Sequence, residues 1–229
     1  NSFTNSNLLH MKKFSLLLFS LAIISCGVKQ TQSMISNGDY DSAIINAIDA
    51  LKTNKNAKSK QEYVYLLEEA FAKAKQRDEE KLNLLIKENT PSNYERIFTI
   101  YNQLNNRQER IKPILPLNLL KEGRNANFHF DDYSDEIISS KSILSEYLYA
   151  NAKKLLTAKN KMDFRQAYDD LAYLDKLNPN YKDVRTLMDE AQFKGTDFVH
   201  VYTKNETNLV IPSRLQDDLL NFSTYDIND

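Results

Sequence analysis

The chain contains very little of what usually breaks helices or cross-links a protein. Its 229 residues include 4 glycines, 5 prolines, one cysteine and no tryptophan. Because glycine and proline disfavour helix interiors most strongly, their scarcity predicts a mainly α-helical fold. A single cysteine leaves no partner for an intramolecular disulfide, so the fold cannot depend on one.

An excess of charge of either sign is also missing. The 30 lysines and arginines nearly cancel the 31 aspartates and glutamates, which gives a net charge of -1. Nothing in this balance predicts nucleic acid or an anionic membrane surface as a partner. The hydrophobic share of 41% and the charged share of 27% are those of an ordinary globular protein rather than a disordered chain.

Sequence motifs that carry chemistry are not found either. The chain has no glycine-rich phosphate loop and no Gly-x-Ser-x-Gly, His-Glu-x-x-His or Cys-x-x-Cys motif. Its densest group of ionisable residues, His129 to Glu136, matches no metal-ligand spacing. Asp135 and Glu136 instead fit the acidic first turn of a helix that begins near Ser134. We therefore predict no catalytic residue, no metal site and no cofactor, and expect that the chain is not an enzyme.

Residues 11–26 have the order of a secretion signal. Lys12 and Lys13 follow Met11 and are succeeded by a largely apolar run, which is too short to span a bilayer and ends at Cys26. The ten residues before Met11 do not fit a signal peptide, so we interpret residues 1–10 as an upstream or non-native extension and residues 11–25 as the signal peptide.

The ending Ile-Ile-Ser-Cys resembles the bacterial lipobox, in which an aliphatic residue, a tolerant position and a small residue precede the lipidated cysteine. The resemblance implies a lipoprotein with diacylglycerol on the Cys26 sulfur, cleavage after Ser25 and acylation, typically with palmitate, of the new amino terminus. Residues 26–33 would then be a short lipidated tether.

The composition, poor in glycine and rich in lysine, asparagine, isoleucine and tyrosine, is similar to that of Bacteroidota lipoproteins. Gly27 stands where an aspartate would imply retention in the inner membrane, so the resemblance implies the outer membrane. The absence of acidic residues before Asp39 favours a body that faces the periplasm, with the cell surface as the alternative.

Three later segments resemble the tetratricopeptide repeat, a pair of helices in which a small residue permits close approach, an aromatic fills the gap and a proline ends the unit. The copies are irregular, because Tyr94 follows Tyr40 by 54 residues and Phe164 follows Tyr94 by 70. A generic helical bundle remains the alternative. The residues expected to pack the repeats are Gly38, Tyr40, Ala43, Tyr94, Phe164, Ala167 and Pro179.

The periodicity of apolar residues predicts irregular, repeat-like antiparallel helical hairpins over 34–195. The charged stretch Lys75–Lys81 is predicted to be a solvated part of a long helix. A long connection at 105–130 is expected to cover a helical groove. Residues 196–229 are predicted to contain β-structure, with strands at Phe198–Tyr202 and Leu209–Ile211, and to be the incomplete start of a further domain.

Three functions remain open at this point. The leading hypothesis is a membrane-anchored helical-repeat protein that binds a protein or peptide partner on a concave face. The second is an envelope hydrolase, or a sugar- or metal-binding protein, with its site near His129–Glu136 or in additional C-terminal sequence. The third is a structural lipoprotein that contacts the cell wall. In each case the membrane is reached through the lipid, and nucleic acid is not a partner.

Overall fold

The fold is mainly helical, as the scarcity of glycine and proline predicts. The computed structural model describes residues 27–221. Within them, β1 (Asn118–Leu119) and β2 (Arg124–Asn125) form a small antiparallel pair. The helices are α1 (residues 27–36), α2 (Tyr40–Lys52), α3 (Gln61–Glu88), α4 (Tyr94–Ile111), α5 (Ser134–Leu156), α6 (Lys161–Leu177), α7 (Val184–Gly195) and α8 (Ser213–Leu220). Among these helices none is long and apolar enough to cross a membrane.

Two compact units make up the described chain, residues 27–147 and residues 148–221. The boundary between them falls inside α5. The sequence predicted one helical domain over 34–195, because helical periodicity continues through α5 and gives no sign of a division.

A glycine and an aspartate form the turn between α1 and α2. Gly38 has a positive φ of 78° and donates its N–H to the carbonyl of Ile35, which ends α1. Asp39 then caps α2 by accepting a hydrogen bond from the N–H of Ser42. Asp41, at the start of α2, lies beside Arg77, well along α3. The two helices therefore run antiparallel.

Residues 27–36 are helical, where the sequence predicted a tether over 26–33. The side chain of Thr31 is completely buried, and its hydroxyl donates to the carbonyl of Gly27. Ile35 belongs to the same hydrophobic core as α2 and α3. The tether prediction is therefore wrong from residue 27 onward, because this segment gains burial by packing as a helix. Cys26 and the predicted signal peptide lie outside the described residues.

Helix α4 continues to Ile111, although the connection was predicted to begin at residue 105. Ile111 is fully buried and follows the buried Leu104 at helical spacing. The apolar face of the helix is thus maintained through a polar stretch of sequence. The actual connection, residues 112–133, contains β1 and β2 and packs Leu117 and Leu119 into the core of α1, α2 and α3.

The second unit contains the helix pair α6 and α7. Asn160 caps α6 by accepting a hydrogen bond from the N–H of Met162. A Cβ atom at Gly195 would lie 3.2 Å from the Cγ of Arg165, whose Nε donates to the Gly195 carbonyl. Glycine therefore allows the end of α7 to approach α6 closely. The buried apolar residues of the pair are Ala167, Leu171, Leu174, Val184, Leu187 and Ala191.

The strands predicted at Phe198–Tyr202 and Leu209–Ile211 are not formed. Residues 196–212 have neither helix nor strand, and α8 follows them. A strand needs a neighbour for its backbone hydrogen bonds, and the only sheet within residues 27–221 is the β1–β2 pair. The β-propensity of these residues is therefore not realised. Residues 222–229 of the predicted β-segment lie outside the described residues.

Candidate functional site

A pocket of about 390 Å³ opens in the first unit between the end of α3, the first half of α4 and the first half of α5. Its size falls within the range of roughly 300–1,000 Å³ that is usual for ligand sites. One part of its wall is apolar and aromatic, and the other part is polar. The lining residues are Ile86, Asn89, Tyr94, Ile97, Tyr101, Asp135, Glu136, Ser139, Ser140 and Ile143.

The end of α3 shapes one side of this pocket. Asn89 adopts the left-handed conformation, with φ of 46°, and its N–H donates to the carbonyl of Leu85. Asparagine accepts this conformation more readily than most residues, so it ends the helix without a glycine. Pro91 then opens the short turn into α4. The pocket wall therefore depends on a local sequence signal, Asn89 followed by Thr90-Pro91.

Two isoleucines in the pocket wall are left open to solvent. The side chains of Ile86 and Ile143 are each 47% exposed. Covering them with an apolar group would remove hydrocarbon surface from water, which is the main favourable term in most associations. Binding of an apolar group at this site is therefore favourable.

Two tyrosines complete the apolar side. The ring of Tyr94 packs edge-on against Tyr147, with ring centroids 5.7 Å apart. Burial, reinforced by the negative charge of Glu136, raises the pKa of Tyr101 above its ordinary value. Tyr101 therefore stays neutral at physiological pH and presents an aromatic surface that carries a hydroxyl.

The acidic wall of the pocket comes from the first turn of α5. Asp132 precedes the helix, and its Oδ1 accepts hydrogen bonds from the N–H and hydroxyl of Ser134. Asp135 and Glu136 follow in the first turn and are exposed. Neither of these two carboxylates forms an ion pair with a basic side chain of residues 27–221.

The ionisable residues between His129 and Glu136 do not converge on one point. The ring of His129 lies 3.2 Å from the Asn127 amide. Asp131 pairs with Lys75, which lowers the pKa of Asp131 below its ordinary value. Asp132 caps α5, and the two following acids line the pocket. Within the described residues no group of three or more His, Cys, Asp or Glu side chains is placed to hold a metal ion.

The connection of residues 112–133 lies along α3 and packs against it. Side chains at seven-residue intervals on α3 form hydrogen bonds with the backbone of the connection. Gln61 accepts from the N–H of Leu120, and Glu68 accepts from the N–H of Asn127. Lys75 donates to the carbonyl of His129. The rings of Phe128 and Phe130 each pack edge-on against Phe71 at 5.6 Å. This surface of α3 is therefore covered by the chain's own residues, whereas the pocket at the end of α3 is open.

A network of charged side chains on α2, α3 and α4 was not predicted from the sequence. Arg107, on α4, pairs with both Asp41 and Asp78, and Arg77 donates to Asp78. Asp78 and Arg107 are almost fully buried. The prediction that residues 75–81 form a solvated stretch is therefore wrong for Asp78. A signal was present, because Asp78 lies at helical spacing between the buried Ala74 and Leu82.

The small residues predicted to pack the repeats lie at helix contacts. Ala43 on α2 and Ala167 on α6 are completely buried, and Gly38 supplies the positive φ of the α1–α2 turn. The guanidinium of Arg77 lies 5.3 Å from the ring of Tyr40, which is half-buried.

The remaining predicted residues are distributed over both units. Phe164 lies under the ammonium of Lys194, at 5.5 Å. Pro179 is exposed in the turn after α6. Only Tyr94 belongs to the pocket, so the predicted residues are structural positions and do not form a binding site. Ile86 and Ile143 were missed because each looks like an ordinary apolar helix residue.

Comparisons of the chain with protein-family models, with curated proteins and with solved structures gave no match, so the pocket and the sequence motifs carry the functional argument.

Proposed function

We propose that this chain is a lipid-anchored protein of the cell envelope that binds a protein or peptide partner through the pocket of its first unit. The observation that carries the proposal is the pocket itself, in which two half-exposed isoleucines and two tyrosines face unpaired carboxylates. Concave, largely apolar surfaces with a few polar groups are the usual form of a binding site. The protein is proposed to act by binding and not by catalysis.

The lipid anchor is proposed from the lipobox-like residues that end at Cys26. Helix α1 is already formed at Gly27, the next residue. A lipid on Cys26 would therefore hold the first unit directly at the membrane surface, without the extended tether expected from the sequence. The proposed location is the outer membrane, with the body facing the periplasm.

The anchor is tested with the variant Cys26→Ser in cells that express the chain from Met11. We expect loss of labelling by radioactive palmitate, retention of the signal peptide and loss of processed protein from the outer-membrane fraction. A variant that is still cleaved and still remains with the outer membrane would refute the anchor and leave the pocket proposal standing.

Partner binding is tested by placing the photo-crosslinking residue p-benzoylphenylalanine at Ile143 in the pocket. The matched control is the same replacement at Ile138, which is also exposed on α5 but does not line the pocket. We expect a discrete protein adduct from position 143 only, and the purified partner should bind the Ile143→Ser variant more weakly than the wild-type chain. Equal adducts from both positions, or recovery of cell-wall material alone, would contradict the proposal.

A further inference from the structure

The chemistry of the pocket wall narrows the class of partner, and this inference rests on the function proposed above. The lining contains two carboxylates, Asp135 and Glu136, and no lysine, arginine or histidine among the described residues. The carboxylates are exposed and carry no ion pair within residues 27–221, whereas many other acids of the first unit are paired with lysine or arginine. The pocket therefore presents two carboxylates that no basic side chain of residues 27–221 neutralises.

A second source of negative potential adds to that of the carboxylates. Helix α3 ends at the pocket, where Asn89 is part of the lining. The C-terminal end of a helix carries partial negative charge on its last carbonyl groups, and it favours a cation nearby. Positive charge in a bound ligand would thus interact favourably with α3 and with the acidic first turn of α5.

The other side of the pocket accepts hydrocarbon. Ile86 and Ile143 offer exposed aliphatic surface, and Tyr94 and Tyr101 offer aromatic rings. An aromatic face attracts a lysine or arginine side chain through its quadrupole and also packs against the aliphatic stem of that side chain. The occupant that satisfies both sides of the wall has an apolar group next to a cation.

We propose that the pocket binds a segment of a partner protein in which an apolar side chain lies beside a lysine or arginine. The apolar side chain covers Ile86 and Ile143, and the basic side chain passes a tyrosine ring to reach Asp135 and Glu136. The competing explanation is that the two acids only stabilise the N-terminal end of α5. If the acids had only that role, substituting them would change the stability of the protein but not the charge preference of binding.

Three short amidated peptides serve as probes, in which leucine alternates with lysine, with serine or with glutamate. Binding to the purified full chain is measured by fluorescence anisotropy. We expect the leucine–lysine peptide to bind most tightly and the leucine–glutamate peptide most weakly. Affinity for the leucine–lysine peptide should fall as salt rises from about 0.02 to about 0.5 M, because the carboxylates are exposed to screening.

The variant Glu136→Gln should reduce the affinity for the leucine–lysine peptide by ~5-fold, which corresponds to one partly exposed ion pair. It should leave binding of the leucine–serine peptide unchanged. The matched control is Glu146→Gln, which removes an exposed acid of α5 outside the pocket. Ile143→Ser should reduce the affinity for the leucine–lysine and leucine–serine peptides to the same degree. Melting curves of all variants establish that each is folded.

Equal affinity for the three peptides, lost on Ile143→Ser, would overturn the charge preference and leave the proposed function intact. Equal effects of Glu136→Gln and Glu146→Gln would also overturn the charge preference and leave the proposed function intact. No saturable binding of any peptide would overturn both proposals. Tighter binding of a free amine such as 2-phenylethylamine than of the leucine–lysine peptide would assign the pocket to small amines and also overturn this inference.

Discussion

Arg107 on α4 and Asp78 on α3 form a buried ion pair, with 2.6 Å between Nη2 and Oδ2 and with each side chain only 5% exposed. The contact lacks the geometry of a hydrogen bond, so the pair is held by charge and by the other bonds of each partner. Arg77 donates to the second oxygen of Asp78, and Asp41 accepts from Nε of Arg107. The network joins α2, α3 and α4.

Removing the cation of this pair should destabilise the first unit strongly. The variant Arg107→Met leaves Asp78 charged and buried, which we expect to lower the free energy of unfolding by about 3–5 kcal/mol. Urea denaturation measures this difference. The control is Arg110→Met on the exposed side of α4. The double variant Arg107→Met/Asp78→Leu should recover much of the loss, and near-wild-type stability of the single variant would show that the pair is not buried in solution.

Asp41 should contribute stability that is lost in acid. Partial burial acts to raise the pKa of its carboxyl group, but hydrogen bonds and charge from Arg107 and Arg77 outweigh this effect, so the pKa lies below its ordinary value. A pKa lowered by folding stabilises the fold above roughly pH 4, and this contribution disappears as the pH falls through the folded-state pKa. Asp41→Asn should therefore lower stability at neutral pH and lose less of it in acid than the wild-type chain does.

The measurement for Asp41 is the free energy of unfolding in urea between neutral pH and about pH 2.5. The control variant is Asp49→Asn, whose carboxylate pairs with exposed Lys52 on the surface of α2. Its curve should run parallel to that of the wild-type chain. If the curve of Asp41→Asn were also parallel, Asp41 would have no pKa shift between the folded and unfolded states.

Gln108 should hold the last part of the connection in place. Its side-chain amide donates to the carbonyl of Asp131 at 2.8 Å and accepts from the N–H of Asp131 at 2.7 Å. Because Gln108 is almost fully buried, Gln108→Leu leaves two backbone groups without partners, and we expect a loss of about 2–4 kcal/mol. Hydrogen exchange at the Asp131 amide should become faster. Gln103→Leu, on the exposed side of α4, should change neither quantity.

Ala43 and Ala167 should not tolerate a large charged side chain. Both are completely buried, on α2 and α6 respectively, so arginine at either position must displace the neighbouring helix and bury a charge. We expect each of Ala43→Arg and Ala167→Arg to lower the free energy of unfolding by at least about 2 kcal/mol. Circular-dichroism melting tests this. Ala72→Arg and Ala150→Arg, at exposed positions of the two units, should melt like the wild-type chain.

Local contacts set the caps of the turn between α1 and α2. Gly38 and Asp39 each bond to a residue three positions away, so their capping roles depend on nearby sequence. Ala43 and Ala167 were singled out by the resemblance to the tetratricopeptide repeat, and both are completely buried. The strands predicted at Phe198–Tyr202 and Leu209–Ile211 were not formed, because a strand depends on a distant partner.

What the sequence by itself determined is the helical class, most helix positions and their caps, and a lipobox-like cysteine, all of which depend on spacing within one segment. Only the tertiary structure decided that Asp78 pairs with Arg107 of another helix and that Glu136 lines a pocket. It also decided that residues 112–133 cover one surface of α3 and leave the pocket at Asn89 open. Which side chains are buried, and which come together, depends on contacts between segments that are far apart in the sequence. No local sequence pattern specifies those contacts.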